Sequence, residues 1–153
     1  MKIFGDDGFR DIFGRGLLSK RFLNFFFLKI KFFLIHNKIN KVVIGYDTRG
    51  TYREIIPIIL DNLKIPGKIE ILDRPVPTPC LAYLSNLNPK TFFIMITASH
   101  FHKRYNGFKF FFKGKKLSKL YEKKILSSKI LEYSNFNTKL NYTKNYNHYL
   151  NFL

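Results

Sequence analysis

Two kinds of apolar segment alternate along the chain and predict its secondary structure. Short continuous apolar runs are typical of strands that are buried on both faces. Four such runs lie at residues 41–46, 68–72, 92–96 and 108–112. Longer segments of helical character lie at residues 17–37, 52–63, 81–87 and 117–133. The alternation predicts a three-layer α/β/α domain with a mixed, mostly parallel sheet, in which residues 108–112 form an edge strand paired with residues 92–96.

The two ends of the chain differ from this pattern. Residues 3–16 contain four glycines and predict a strand end followed by a flexible loop. Residues 134–153 are rich in Asn, Tyr and Lys and lack a clear period, which predicts a loosely docked tail. At 153 residues, the chain is long enough for one domain with a buried core, which we place at residues 1–133.

The composition narrows the possible partners. A net charge of +17 fits either a basic surface for nucleic acid or solvated faces rich in lysine. The lysines are scattered and no nucleic-acid-binding motif is present, so the second interpretation is favoured and nucleic acid is not an expected partner. Positive charge also favours an anionic small molecule.

Cysteine usage and the longest apolar segment bear on the compartment. The single Cys80 cannot form an internal disulfide, so we expect a cytoplasmic protein with a buried, inert thiol. Residues 22–35 are apolar but contain Lys29 and Lys31 and are shorter than the ~20 residues that a membrane span requires. A buried helix is predicted there, rather than one that binds a membrane.

The candidate chemistry follows the apolar run 92–96. Thr97-Ala98-Ser99-His100 comes directly after it, and Asn106-Gly107-Phe108-Lys109 follows nearby. In α/β folds, ligands bind beyond the carboxyl ends of the strands. Adjacent Ser and His residues are poorly placed for a hydrolase pair, and no nucleophile-elbow motif surrounds them. Taken alone, the serine is therefore an ambiguous signal.

Four loops that follow one another in a fixed order along the chain make the evidence for the role of Ser99 specific. They are Phe4-Gly5-Asp6-Asp7-Gly8-Phe9-Arg10, Ile44-Gly45-Tyr46-Asp47-Thr48-Arg49, Pro77-Thr78-Pro79, and Thr97-Ala98-Ser99-His100 with Asn106-Gly107-Phe108-Lys109. This set resembles the N-terminal domain of the α-D-phosphohexomutases over about residues 3–126. Within that family, the first and last loops are most similar to those of the bacterial phosphoglucosamine mutases.

The resemblance implies a mechanism and a set of site residues. Ser99 falls on the family's phosphoserine, which passes its phosphoryl group to a hexose or hexosamine phosphate and takes another back. Lys109 and Arg10 would supply positive charge, His100 would orient substrate or assist proton transfer, and Mg²⁺ would bind through the phosphate on Ser99. Arg49 is expected to hold its own loop through hydrogen bonds rather than to touch substrate, and Gly107 to let the chain turn so that Lys109 approaches Ser99.

The chain departs from the family at several positions. Phe101-His102 replaces the usual Asn-Pro, Asp6 a threonine and Asp11 a glycine. The remaining Mg²⁺ ligands are absent, since no Asp-Gly-Asp-Gly-Asp run is present. We therefore expect a truncated or split phosphohexomutase whose missing domains come from a second chain. The alternatives are an inactive remnant or partner-binding domain and, less favoured, a basic nucleic-acid-binding module.

Overall fold

A seven-stranded mixed sheet is the middle layer of the protein, in a computed structural model that describes residues 3–6, 8–130, 136–144 and 146–151. Its strands are Phe9–Ile12 (β1), Lys41–Tyr46 (β2), Lys68–Leu72 (β3), Phe92–Ile96 (β4), Tyr105–Phe112 (β5), Lys115–Lys116 (β6) and Lys139–Thr143 (β7). The order across the sheet is β1-β5-β4-β2-β3-β7, and β6 pairs with β5. This confirms the predicted α/β class.

The sheet has a parallel and an antiparallel half. Strands β4, β2, β3 and β7 are parallel to one another, whereas β5 is antiparallel to both β4 and β1. The prediction that residues 108–112 form an edge strand is wrong, because the outer side of β5 pairs with β1 as far as Phe108 and with β6 at Phe111 and Phe112. Strand β1 has only four residues within a glycine-rich segment, too few to show a clear apolar period.

Helices cover both faces of the sheet and complete the three layers. They are Lys20–His36 (α1), Tyr52–Asn62 (α2), Thr78–Leu87 (α3), Lys119–Ser127 (α4) and the short Asn147–Leu150 (α5). Apolar side chains of α1, α2 and α4 share one core with one face of the sheet. The other face packs against α3 and against Tyr146, which precedes α5.

Phenylalanine rings pack against one another within the larger core, beside isoleucine and leucine side chains. The rings of Phe9 and Phe26 lie 4.9 Å apart edge to face, and the rings of Phe27 and Phe108 lie 5.3 Å apart. Fully burying one such side chain contributes about 1.5–3 kcal/mol. Helix α1 is therefore the predicted buried helix, with Phe26 and Phe27 fully enclosed. None of the helices in the described part of the chain is both long and apolar enough to cross a membrane.

The C-terminal segment docks more firmly than its sequence predicts. Strand β7 runs parallel to β3 at the sheet edge, and Lys139 N donates to the Gly67 carbonyl at 2.9 Å. Its side chains are mostly exposed, so backbone hydrogen bonds hold it, and these leave no apolar pattern in the sequence. Helix α4 ends at Ser127, earlier than predicted, and residues 131–133 of the predicted helix lie outside the described residues.

Cys80 lies in the first turn of α3, and its predicted burial is confirmed. It is a buried free cysteine. Burial raises the pKa of its thiol to about 11, so the thiolate is scarce at neutral pH and the group is unreactive.

Candidate functional site

The candidate site lies where two neighbouring parallel strands end. Strands β2 and β4 pair in parallel, with Tyr46 opposite Ile96. The residues that follow them, Asp47 and Thr97, therefore emerge at the same edge of the sheet. Ser99 lies two residues further on and lines an open cleft together with Arg53 and Lys103.

A short chain of hydrogen bonds sets the backbone at Ser99. The Thr97 hydroxyl donates to Asp47 Oδ2 at 2.7 Å, and the Ser99 N–H donates to Thr97 Oγ1 at 2.9 Å. Ser99 has a φ of +56°, in the left-handed region that residues other than glycine seldom adopt. Such strain persists only where the surroundings enforce it, and it is frequent at functional sites. The half-buried serine keeps its Oγ without a hydrogen-bond partner among the described residues.

Arg49 binds the serine loop, which is residues 97–104 between β4 and β5, and so connects it to the end of β2. Its guanidinium donates to four backbone carbonyl oxygens, at distances of 2.7–3.0 Å. They belong to Ser99, Phe101, His102 and Tyr105. Asp47 accepts from Arg49 Nε at 3.2 Å and forms an ion pair with it. Arg49 holds its own loop through Asp47, as predicted, and it also holds the loop that carries Ser99, which was not predicted.

Arg10 reaches this loop from the far edge of the sheet. It lies on β1 opposite Gly107, on the face away from the phenylalanine core. Its side chain is exposed, and its Cζ lies 4.0 Å from the centroid of the Phe101 ring. The structure thus brings Arg10 to the segment that follows Ser99.

His100 and Lys109 are less closely tied to Ser99. His100 is exposed, and its ring centroid is 5.6 Å from that of Phe101. Lys109 pairs with Met95 inside the sheet and lines a small hollow with Asp6 and Glu122. Neither side chain hydrogen-bonds to Ser99 within the described part of the chain.

Gly107 serves a different purpose from the predicted one. It lies inside β5 and not in a turn, and its carbonyl accepts from Thr97 N at 2.9 Å. A Cβ atom there would overlap the Phe9 carbonyl oxygen and lie 2.8 Å from Arg10 Cα. The glycine therefore allows the close approach of β1 that carries Arg10 to the site.

Two further polar residues of the site have a structural account. Asn106 is buried, and its amide donates to Thr51 Oγ1 at 2.7 Å, which joins β5 to the start of α2. The sequence shows Asn106-Gly107 only as a turn signal, so this contact was missed. Asp11 accepts from Ile12 N at 2.7 Å and from Leu17 N at 2.9 Å, which explains a carboxylate at this position.

The residues around Ser99 do not form a magnesium site by themselves. The described residues contain no group of three or more His, Cys, Asp or Glu side chains that could hold a metal ion. Asp47, which follows β2, already accepts hydrogen bonds from Thr97 and Arg49. A hard cation requires several oxygen ligands, and this donor set does not provide them.

Comparisons with known proteins agree with the fold. A family model described as "Phosphoglucomutase/phosphomannomutase, alpha/beta/alpha domain I" matches residues 1–134. The chain is 32% identical over 126 residues to phosphoglucosamine mutase of Buchnera aphidicola subsp. Baizongia pistaciae, covering 82% of this chain and 28% of that protein. The corresponding protein of Coxiella burnetii is 37% identical over 118 residues, covering 76% of this chain and 26% of that one.

A solved structure shows the same architecture. It is described as a putative phosphomannomutase from Thermus thermophilus, with a TM-score of 0.72 and 27% identity. The match covers 88% of this chain and 32% of that structure. The chain thus spans under a third of the length of these relatives and of this solved structure.

Proposed function

Because the chain belongs to the phosphoglucomutase/phosphomannomutase family and matches its α/β/α domain I, we propose that it is the phosphoserine-bearing domain of a phosphoglucosamine mutase. In the proposed reaction, the bond between Ser99 Oγ and phosphorus breaks as the phosphoryl group passes to a free hydroxyl of a hexosamine phosphate. The resulting bisphosphate then returns its other phosphoryl group to Ser99 Oγ. The sugar hydroxyl that accepts phosphate loses a proton, and the hydroxyl released in the second step gains one.

The observation that carries this proposal is the backbone conformation of Ser99 together with the free position of its Oγ. Its backbone is held in the left-handed region by Thr97 and by Arg49, while its Oγ is left without a partner among the described residues. Phosphoryl transfer depends mainly on positioning and on electrostatic stabilisation of the transferring oxygens. A hydroxyl on a rigid, strained loop at the carboxyl end of a strand satisfies the first requirement.

Positive charge around the serine loop suits the electrostatic stabilisation of the transferring phosphoryl oxygens. Arg10 presents a planar guanidinium, which can contact two phosphate oxygens at once. We assign it to phosphate binding, assign Lys109 a supporting electrostatic role, and assign the exposed imidazole of His100 to orienting the sugar or moving its proton. Lys103 and Arg53, which line the same cleft, add to the attraction for an anionic substrate.

The rest of the mutase chemistry requires parts of the family architecture outside the matched domain. A phosphate on Ser99 would offer oxygens to Mg²⁺, but the other ligands must come from another domain or a second chain. The same dependence applies to recognition of the sugar, so the proposed substrate class is a hexose or hexosamine phosphate.

Phosphorylation of Ser99 tests the proposal. The chain is incubated with glucosamine 1,6-bisphosphate and Mg²⁺, alone and with the separately purified remaining domains of the Coxiella burnetii relative, and its intact mass is measured. We expect a gain of about 80 Da, one phosphoryl group, localised to Ser99 by peptide mapping. Ser99→Ala should abolish the gain, and Ser127→Ala, at an exposed serine of α4, should retain it.

Two results would contradict the proposal. One is the absence of any mass gain in both arrangements, which would favour the inactive or partner-binding alternative. The other is a gain of the same size in Ser99→Ala, which would place the phosphoryl group on a different residue.

A further inference from the structure

The ring of Phe101 lies between the serine loop and Arg10. Its centroid is 4.0 Å from Arg10 Cζ, and it meets the Tyr105 ring edge to face at 5.6 Å. Phe101 is 39% exposed and therefore contributes little to the core. Its contact with the Arg10 guanidinium is instead a cation–π contact at the surface.

The backbone of Phe101 is fixed at both of its polar groups. Its N–H donates to the Ala98 carbonyl at 3.2 Å, and its carbonyl accepts from Arg49 Nη2 at 2.7 Å. Together with the Tyr105 ring, these contacts restrict where the Phe101 ring can lie. The ring is therefore a stable platform rather than a freely rotating surface group.

Arg10 has its hydrogen-bonding capacity unused. Its exposed guanidinium forms no hydrogen bond or ion pair with the described residues, and the Phe101 ring is its contact at the charged end. A guanidinium that stacks through its face keeps its N–H donors, which lie in the plane, free for oxygen acceptors. Stacking also reduces the rotamer freedom that the long side chain must lose when it binds an anion.

We infer that Phe101 is a positioning residue that holds Arg10 ready to bind phosphate oxygens beside Ser99. The inference rests on the proposed function for the identity of the anion as a phosphoryl group. Asp47, Arg49 and Phe101 then form a connected support. It runs from the end of β2 through the serine loop to the arginine on β1. Phe101 acts through Arg10 and does not itself touch the reacting atoms.

Titration with inorganic phosphate tests the inference without requiring catalysis. The probe is binding of phosphate to the full chain, followed by NMR through the Arg10 Nε–Hε signal and through the amides of residues 99–105. Four proteins are compared with the unaltered chain: Phe101→Leu, Phe101→Tyr, Arg10→Met and the Arg10→Met/Phe101→Leu double variant. Phe101→Tyr keeps an aromatic face and is the matched control.

We expect Phe101→Leu to weaken phosphate binding roughly two- to fivefold, the range of an exposed cation–π contact, and to remove the upfield ring-current shift of the Arg10 signal. Phe101→Tyr should retain both properties. In the Arg10→Met background, Phe101→Leu should have no further effect on affinity, because the residue acts through Arg10.

Three outcomes would overturn the inference. They are an equal loss of affinity from Phe101→Leu in the Arg10→Met background, an unchanged affinity and Arg10 shift in Phe101→Leu, and no phosphate binding by the unaltered chain. The proposed function is tested separately, by the gain in intact mass that peptide mapping assigns to Ser99. The two residues can be coupled in phosphate binding whether or not Ser99 is phosphorylated.

Discussion

The Arg49 guanidinium donates to the Ser99 carbonyl oxygen at 2.7 Å, across 50 residues of sequence. This contact joins the ends of two neighbouring parallel strands, since Arg49 follows β2 and Ser99 follows β4. The charged Arg49 guanidinium, which has several N–H donors, therefore contacts the loop that carries the candidate nucleophile, Ser99. The position of Ser99 therefore depends on a residue that we do not assign to substrate.

Replacing Arg49 by lysine should loosen the serine loop. An ammonium cannot serve four carbonyl oxygens arranged around a planar fork, so several would lose their partner. We expect a loss of about 2 kcal/mol in the free energy of unfolding and faster amide exchange in residues 99–105. Arg53→Lys is the control, because Arg53 is exposed and lines the same cleft. Equal exchange rates in the two variants would contradict the role of Arg49.

Adding one methyl group at Gly107 should disrupt the pairing of β1 with β5. The new Cβ would meet the backbone of Phe9 and Arg10, which cannot move aside as a flexible side chain could. We expect Gly107→Ala to cost about 3 kcal/mol in urea denaturation, at the upper end for overpacking. Gly50→Ala should change stability little, because the nearest atom to its Cβ is Arg53 Nη1 at 3.8 Å. Similar unfolding midpoints for the two variants would rule out the close-approach explanation.

The left-handed backbone at Ser99 should show in a comparison of two small substitutions. Ser99→Gly should be more stable than Ser99→Ala by about 1 kcal/mol, because glycine adopts a φ of +56° without a Cβ penalty. At Lys123, an exposed position within α4, the order should reverse, since glycine destabilises a helix by roughly 0.5–1 kcal/mol relative to alanine. Thermal unfolding of the four variants provides the measurement. If Ser99→Ala were as stable as Ser99→Gly, or more stable, the backbone at Ser99 would carry no strain.

Glu70 in β3 should make stability depend on pH. Burial alone would raise the pKa of this carboxyl, but hydrogen bonds from Lys68 at 2.9 Å and Lys41 at 3.1 Å outweigh it and hold the pKa below the ordinary value near 4.5. The unfolded chain then binds the proton more readily, so the stabilisation is present above about pH 4.5 and is lost as the pH falls through the lower, folded pKa.

Glu70→Gln should therefore be less stable than the unaltered chain by about 1–2 kcal/mol at pH 7. The difference should shrink as the pH is lowered below 4.5, as measured by urea denaturation across the range. Glu54→Gln, at an exposed position in α2, is the control and should show little difference at any pH. A gap between Glu70→Gln and the unaltered chain that stays constant with pH would show that the charge of Glu70 is not the cause.

Much of the fold was predictable because its elements are locally encoded. Strands β2, β3 and β4 are buried on both faces and leave continuous apolar runs, and their bounds match the predicted ones at Lys41–Tyr46, Lys68–Leu72 and Phe92–Ile96. The edge strands were not predictable in the same way. Strand β1 is short and β7 is exposed, so both depend on backbone hydrogen bonds to a neighbour that is distant in sequence.

Residue types and their spacing along the chain indicate the α/β class, the resemblance to a phosphoryl-transfer family and the candidate residues Ser99, His100, Lys109 and Arg10. Their arrangement in space comes from the fold. It placed Arg10 against Phe101, placed Lys109 in the lining of a hollow that Asp6 also lines, and joined Arg49 to the serine loop. The physical reason is that residue type and local pattern reflect burial and backbone preference, whereas contacts between loops 50 residues apart depend on strand order and register.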